Sequence, residues 1–443
     1  MKRGEGWSEI RDTRYVFFAC AVCLFTSEVS LDRLTRRILI GIVAGIAVGL
    51  ALPEQTVYLK PIGDLFVRLL KMLIAPLILS AIVTGVVSLG DLTRLGRMGG
   101  KALAYYLTTG TFAVLNGLLL VNLIRPGEGT SILVHETPEI LQKGPPNLLN
   151  DVLLPIVPTN VFQAMAEGNV LAIIFFGVLM GAALSVLGDR GKALLGVLDG
   201  LGAVMMRITE WVMAVAPIGV FALMASLIGA SGLKVLLPLF KYVVTVLLGV
   251  GLHGAVTLCL LLYLVGRRRP LPFIRSVSPA LTTAFATSSS AATLPVTYDT
   301  LVKKAGISHR VASFFLPVSS MINSDGTAVY EAVAAVFIAQ VYGIHLTAAQ
   351  QVLVFLTAMA ASVGAPGIPS AGLVTMAMVL RAVGLPLEGI ALLLPVDRIL
   401  DQFRTACNVF GDCVGAAILE RSEGDGVDRG EQNEGRVLSR PAE

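Results

Sequence analysis

Residues 396–418 read VDRILDQFRTACNVFGDCVGAAI, a helix-length apolar stretch that nevertheless carries Asp397, Asp401, Arg404, Asn408 and Asp412. At about 100° per residue these five fall within an arc of roughly 80°, on one helical face. A charge at the centre of a bilayer costs on the order of 3 kcal/mol on insertion scales, so a shared stripe turned inward reads as functional by default. The competing reading is a structural ladder, Asp401 paired with Arg404 at i,i+3 and Arg404 with Asn408. Such a ladder leaves Asp412 without a cation.

The surrounding chain is built for a bilayer. Of its 443 residues 55% are hydrophobic and 14% charged, with mean hydropathy +0.78; a soluble domain carries about 25% charged residues. Apolar runs recur from Ile38 to Leu52, Phe112 to Ile124, Val170 to Leu187 and Tyr242 to Val265. With their flanks these reach the ~20 residues that a spanning helix needs. The expectation is an all-α polytopic membrane protein with the lipid bilayer as a partner. A net charge of +4 calls for no nucleic acid, since anionic headgroups attract it equally. Cys20 and Cys23 form a C-x-x-C with no second pair at metal spacing, and Cys259, Cys407 and Cys413 read as small packing residues. Residues 1–32 form an N-terminal extension. Its apolar core, Tyr15 to Phe25, lacks a clean cleavage site and reads as an interfacial segment, unless translation starts downstream of Met1. From Arg421 the tail is polar, charged and expected to be disordered.

Basic residues alternate along the chain. Arg33, Arg36 and Arg37 precede the first span, Arg94, Arg97 and Lys101 lie between the second and third, Arg190 and Lys192 between the fourth and fifth, and Arg267, Arg268 and Arg269 after the sixth. Positive charge stays cytoplasmic, so the N-terminus is inside, six spans precede Pro270, and the loop from Pro126 to Asp151 is external. Two later apolar stretches are interrupted, one by Ser288, Ser289, Ser290 and Pro295, the other by Gly364, Pro366, Gly367 and Pro369. Non-helical backbone at membrane depth must be buried or line a wet cavity, so each reads as a re-entrant hairpin, Phe273 to Val302 and Ala349 to Val383. Two ordinary kinked helices are the alternative.

A second polar cluster is Asn323-Ser324-Asp325-Gly326-Thr327. Gly326 permits an unwound turn, and Asn323 and Asp325 offer oxygens of the kind hard cations prefer. Asp325 and Asp412 together present two uncompensated carboxylates, suited to Na⁺; a helix break capped by Asn and Asp is the blander reading. Glu331 lies one turn beyond Thr327. Desolvation disfavours the charged form of a buried carboxyl, which makes Glu331 a proton-carrier candidate, against the view that it faces outward at an interface. Gly99-Gly100-Lys101 lacks the first glycine and the hydroxyl of a phosphate-binding loop. With four scattered histidines and no nucleophile elbow, neither an ATP-driven pump nor an enzyme is expected.

On these residues the chain resembles the glutamate transporter family, the dicarboxylate/amino acid:cation symporters. The resemblance spans about Arg37 to Leu419. It rests on Thr287-Ser288-Ser289-Ser290 with Thr293-Leu294-Pro295, on Asn323-Ser324-Asp325-Gly326-Thr327, on Gly364-Ala365-Pro366-Gly367-Ile368-Pro369, and on Asp401-Gln402-Phe403-Arg404-Thr405 with Asn408 and Gly411-Asp412; Tyr105-Tyr106 with Thr108-Thr109 matches more weakly. It implies a homotrimer in the cell (inner) membrane whose protomers have about eight transmembrane helices, two re-entrant helical hairpins and inverted repeats. Residues 33–98 and 150–232 would form a scaffold, residues 99–125 and 235–420 a mobile transport domain with hairpins near 273–302 and 349–383, and residues 421–443 the tail. Substrate would cross by an elevator-like movement.

Carried over position by position, Arg404 grips a side-chain carboxylate and Asp401 an α-ammonium, with Thr327, Thr405 and Asn408 completing the shell. Ser289, Ser290 and the Pro366-Gly367 tip hold the α-carboxylate. Sodium is the coupling ion, with no other cofactor. Asn323, Asn408 and Asp412, with Ser319 alongside, match one sodium site; Tyr106, Thr109, Asn323 and Asp325 match another; Ser362, Val363 and Ala365 match a third. Asp397 receives no role. The chain departs from the family at Ser288 and Gln402, where archaeal and animal members respectively carry an arginine, and at Ser324, Ala365 and Gly110. The resemblance therefore leaves open how the empty site's charge is balanced, the sodium stoichiometry and any potassium return step. Because Arg404 and Asp401 are both present, the expected substrate is aspartate or glutamate, taken up with Na⁺ and a proton on Glu331. A C4-dicarboxylate symporter is the alternative. From another class, a ligand-gated anion channel or solute sensor would need only one gate.

Overall fold

The computed structural model describes residues 33–88, 92–129, 154, 157–167, 170–363 and 371–438. The N-terminal extension, most of the Pro126–Asp151 loop and the break from Gly364 to Pro369, with Ala365, Pro366 and Gly367, lie outside the described residues. Among the described residues there is no strand.

Among the described residues two helices, Met98–Ile124 and Gly232–Leu264, are long and apolar enough to cross a membrane, and Phe175–Ala214 with Ala216–Ala230, bent by 52°, makes a third if it is one span.

The helices pack in two groups. In the first, α1 (Arg33–Ala51), α2 (Lys60–Ser88), α5 (Val170–Leu187), α6 (Lys192–Ala214) and α7 (Ala216–Ser231) associate around α2, with the short α4 (Val161–Glu167) against α5. The seam of α1 with α7 is a small-residue stripe. Cβ atoms added at Gly41, Gly45 and Gly49 would lie 2.6, 2.7 and 2.8 Å from the carbonyl oxygens of Pro217, Phe221 and Ala225. Close backbone approach of this kind replaces the hydrophobic drive that lipid removes.

The second group surrounds α13 (Asp325–Val341), almost every residue of which is buried. Against it pack α3 (Leu92–Ile124), α8 (Leu236–Leu252), α14 (Ala348–Val363), α15 (Ala371–Val383) and α16 (Ile390–Leu438). A π turn, His253–Leu258, continues α8 into α9 (Cys259–Leu264). Next, α10 (Pro270–Thr287) and α11 (Ser290–Lys303) lie side by side and both touch α16, as does α12 (His309–Ile322). Contacts between the two groups are sparser than those within either. The last helix continues to Leu438, beyond Arg421, where the sequence suggests a polar tail. It is anchored at residues 420–423: Ser308 donates to Glu420 from both N–H and Oγ, Lys101 pairs with Glu423 at 2.7 Å, and Arg421 donates to the Val265 carbonyl at 2.8 Å.

Candidate functional site

The stripe on α16 is turned wholly inward: Asp397, Asp401, Arg404, Asn408 and Asp412 are all buried, and Arg404 is the largest fully buried side chain. Its Nη2 lies 2.7 Å from Asp401 Oδ1 and 3.0 Å from Asp397 Oδ1, so both carboxylates share one end of the guanidinium. The guanidinium carbon lies over the Tyr330 ring, 3.9 Å from its centroid, within the range of a desolvated cation–π contact. Its other edge is unused: among the described residues Nε and Nη1 have no hydrogen-bond partner. Buried unmet donors on a charged group are expensive, and in a native protein they ask for an explanation such as a ligand. A planar pair of N–H donors fits a carboxylate.

Only half of the expected ion-pair ladder is present. Asp401 pairs with Arg404, but Asn408 Oδ1 instead accepts the Gly326 N–H at 2.8 Å. Asp412 has found neutral partners, its Oδ1 accepting from Ser319 Oγ at 2.5 Å and Asn323 Nδ2 at 3.0 Å.

Two helices meet end to end at this point, α12 stopping at Ile322 and α13 starting at Asp325. The break itself falls on Asn323 and Ser324, whose ψ values of 92° and 52° leave the helical region. Gly326 therefore does not make the turn, as the sequence suggested. It lies inside α13, where a Cβ would come 2.6 Å from the Arg404 carbonyl oxygen, and its smallness lets α13 and α16 touch. Gly411 does the same from the other side, 2.7 Å from Asn323 Nδ2.

Around the break gather the oxygens expected to hold a cation. Asn323 Oδ1 and the Tyr106 hydroxyl are buried without a hydrogen-bond partner among the described residues, and Thr109, Ser319, Asp325 and Asp412 are buried with them. Tyr105 ties α3 to this place by donating to the Gly411 carbonyl at 2.6 Å. Beside Gly110 the Met359 sulfur occupies the space a side chain would take, 3.0 Å from an added Cβ. Ser362 is buried and donates to the Met359 carbonyl at 2.9 Å. Val363 ends α14 with its side chain outside the described residues, and Ala365 lies outside them altogether, so most of the third expected cation set lies outside the described residues.

On the substrate side, Ser288 bridges α10 and α11 with a left-handed φ of 51°. Ser289 caps α11, its hydroxyl accepting the Ala292 N–H at 3.2 Å, and Ser290 follows in the first turn. Phe285 meets Phe403 edge-on, ring centroids 5.0 Å apart, which lays this pair against α16. Thr327 and Thr405 are buried on α13 and α16. Pro366 and Gly367 fall outside the described residues. Glu331 is fully buried, its carboxyl without a hydrogen-bond partner among the described residues.

Three residues of the site escaped the sequence reading. Tyr330 supplies the platform for Arg404. Arg398 is buried with Nη1 3.7 Å from Asp401 Oδ2, a second cation where Ser288 and Gln402 provide none. His253 sits against Asp325, Nε2 to Oδ2 3.2 Å. Any ionisable residue inside an apolar span is a signal, and Arg398 and His253 both carry it. Asp397, left without a role, is a partner of Arg404.

Gly372 offers a direct test of how tightly the guanidinium is held. A Cβ there would lie 2.6 Å from Arg404 Nη1. The other end of the guanidinium is fixed by two carboxylates and a ring, so it cannot swing away cheaply. Gly372→Ala is expected to raise the substrate KM by about tenfold or more, roughly 1.4 kcal/mol, in a concentration series of initial uptake rates.

The described helices, some of them long and apolar enough to cross a membrane, enclose a buried, charge-lined site, and the relatives of this chain are transporters. The sequence pattern of the Sodium:dicarboxylate symporter family matches residues 34–422, and the chain belongs to that family. It is 36% identical over 406 residues to the proton/sodium-glutamate symport protein of Bacillus caldotenax, covering 88% of this chain and 94% of that one. It is 38% identical over 436 residues to human excitatory amino acid transporter 2, with 85% and 76% covered. Over 397 residues it is 34% identical to the C4-dicarboxylate transport protein of Bacillus subtilis (strain 168), with 88% and 94% covered.

Proposed function

We propose that this protein takes up aspartate or glutamate by symport with Na⁺, carrying a proton as well. The observation that carries the reading is the free edge of Arg404 beside Asp401. An acidic amino acid can enter without leaving a charge bare: its side-chain carboxylate takes Nε and Nη1 of Arg404, and its ammonium takes Asp401. Thr327, Thr405 and Asn408 complete the shell, and the α-carboxylate lies at Ser289, Ser290 and the Pro366-Gly367 tip. Na⁺ enters as cargo, held among Tyr106, Thr109, Ser319, Asn323, Asp325, Asn408 and Asp412, with Ser362, Val363 and Ala365 forming a further site. Glu331 carries the proton, since a bare carboxylate in a dry span is costly. The names of two relatives, a proton/sodium-glutamate symport protein and an excitatory amino acid transporter, support the same reading.

The two helix groups suit an elevator, the α2-centred group as a trimeric scaffold and the α13-centred group as the moving part, with α10–α11 and α14–α15 as re-entrant gates. The protein would lie in the cell membrane with its N-terminus cytoplasmic.

A second reading has an observation of its own. Asp401 is also 3.7 Å from Arg398, so its charge is partly met, and a C4-dicarboxylate without an ammonium remains in competition. Proteoliposomes separate the two. Labelled aspartate should accumulate only under an inward Na⁺ gradient, and indifference to that gradient would sink symport. Asp401→Ser should weaken aspartate by roughly 10- to 150-fold, the worth of a hydrogen bond to a charged group, while succinate competes as well or better. Unchanged aspartate uptake would exclude the ammonium role. In the same vesicles Glu331→Gln should abolish the response to a pH gradient, and a retained response removes the proton proposal.

A further inference from the structure

His253 is fully buried in the π turn, the one place among the described residues where a long helix gains an extra residue. Such turns often mark functional positions. This one turns two side chains inward, a π turn apart. Thr257 Oγ1 accepts from Asn116 Nδ2 on α3 at 3.0 Å, on the helix that carries Tyr106 and Thr109. His253 Nε2 reaches Asp325 Oδ2 at 3.2 Å. The second ring nitrogen, Nδ1, is buried with no hydrogen-bond partner among the described residues, so the contact to Asp325 is the imidazole's single polar anchor. The other carboxylate oxygen of Asp325, Oδ1, lies toward α3, 3.8 Å from the position a Cβ on Gly110 would take.

We propose that His253 is a positioning residue for the cation site. Its Nε2–H holds Oδ2 of Asp325, so that Oδ1 is presented in one orientation to a monovalent cation among Tyr106, Thr109 and Asn323. The inference rests on the Na⁺-symport reading above. Carboxylates that ligate a metal are themselves oriented by hydrogen bonds from an outer shell, and losing that shell typically costs about 10- to 100-fold in ion affinity. The π turn then sets the depth of the imidazole, and the Asn116–Thr257 bond holds that turn to the helix bearing the other ligands.

The test compares His253→Gln, His253→Asn and His253→Ala in proteoliposomes, reading the Na⁺ concentration that half-saturates labelled aspartate uptake. A glutamine amide nitrogen reaches about as far as imidazole Nε2, whereas an asparagine nitrogen stops near Nδ1. The asparagine and alanine variants should therefore raise half-saturating Na⁺ by about 10- to 100-fold, and glutamine should stay within about threefold of wild type. Substrate KM at saturating Na⁺ should change little in all three. A packing role alone would lower the maximal rate without moving the Na⁺ curve, or would treat glutamine and asparagine alike, and either result overturns the proposal. If a variant yields too little transport, the Na⁺-induced rise in melting temperature of detergent-solubilised protein gives the same ranking. A wild-type protein whose uptake ignores Na⁺ refutes the symport reading itself. A Na⁺-dependent wild type with unshifted variants refutes only the role of His253.

Discussion

Replacing Arg404 by lysine is expected to reduce aspartate uptake, as the initial rate at low substrate, by at least roughly 100-fold, about 2.7 kcal/mol. The guanidinium does three things that an ammonium cannot do together. One end serves two carboxylates, at 2.7 and 3.0 Å, its carbon sits over the Tyr330 ring, and its free edge remains for the substrate. Lysine keeps the charge but presents a compact, strongly hydrated point with no fork. Arg404→Ala fails differently. It buries Asp397 and Asp401 with their main counter-charge gone, and breaking a buried pair from one side costs about 3–5 kcal/mol. Melting temperatures separate the two cases: the lysine variant should remain folded and bind poorly, and the alanine variant should lose folded protein. Lysine-variant uptake within tenfold of wild type would show that charge alone suffices.

The second large effect belongs to Asp412. Asp412→Asn should raise half-saturating Na⁺ by at least about 100-fold, the upper end of what an outer-shell loss alone costs, because here the charge itself is removed. The carboxylate is held by the neutral donors Ser319 and Asn323, with no ion pair to a basic side chain among the described residues. Replacing a buried charge by a neutral isostere relieves a desolvation penalty. Thermal stability without Na⁺ should therefore hold or rise while cation binding fails. A Na⁺ titration that overlays the wild-type curve would remove Asp412 from the cation site.

Much of the site was legible because a bilayer makes charge conspicuous. The inward stripe on α16, the break near Asn323 and the buried Glu331 all stood out as polar residues in apolar surroundings. What the sequence hid was pairing. Helical periodicity placed Asp397 on the same face as Arg404 but could not say that it shares Nη2 with Asp401, because that depends on a side chain folding back along the helix. Tyr330 looked like any aromatic in a buried span until a guanidinium lay upon it. Gly326 illustrates the commonest ambiguity: glycine serves a turn or a close contact equally well, and only the facing Arg404 backbone decides for the contact.

The break after Ile322 has an electrostatic consequence. An α-helix carries about half a positive charge at its N-terminus and half a negative one at its C-terminus. At Asn323 and Ser324 the negative end of α12 and the positive end of α13 face each other across two residues. Opposite partial charges so close sort ions by position. The α12 end, with Ser319 and Asp412 beside it, favours a cation, and the α13 start favours an anion, beginning with its own Asp325. Closing the break into one continuous helix would cancel both ends, and with them the field that keeps cation and carboxylate in separate places within one small volume.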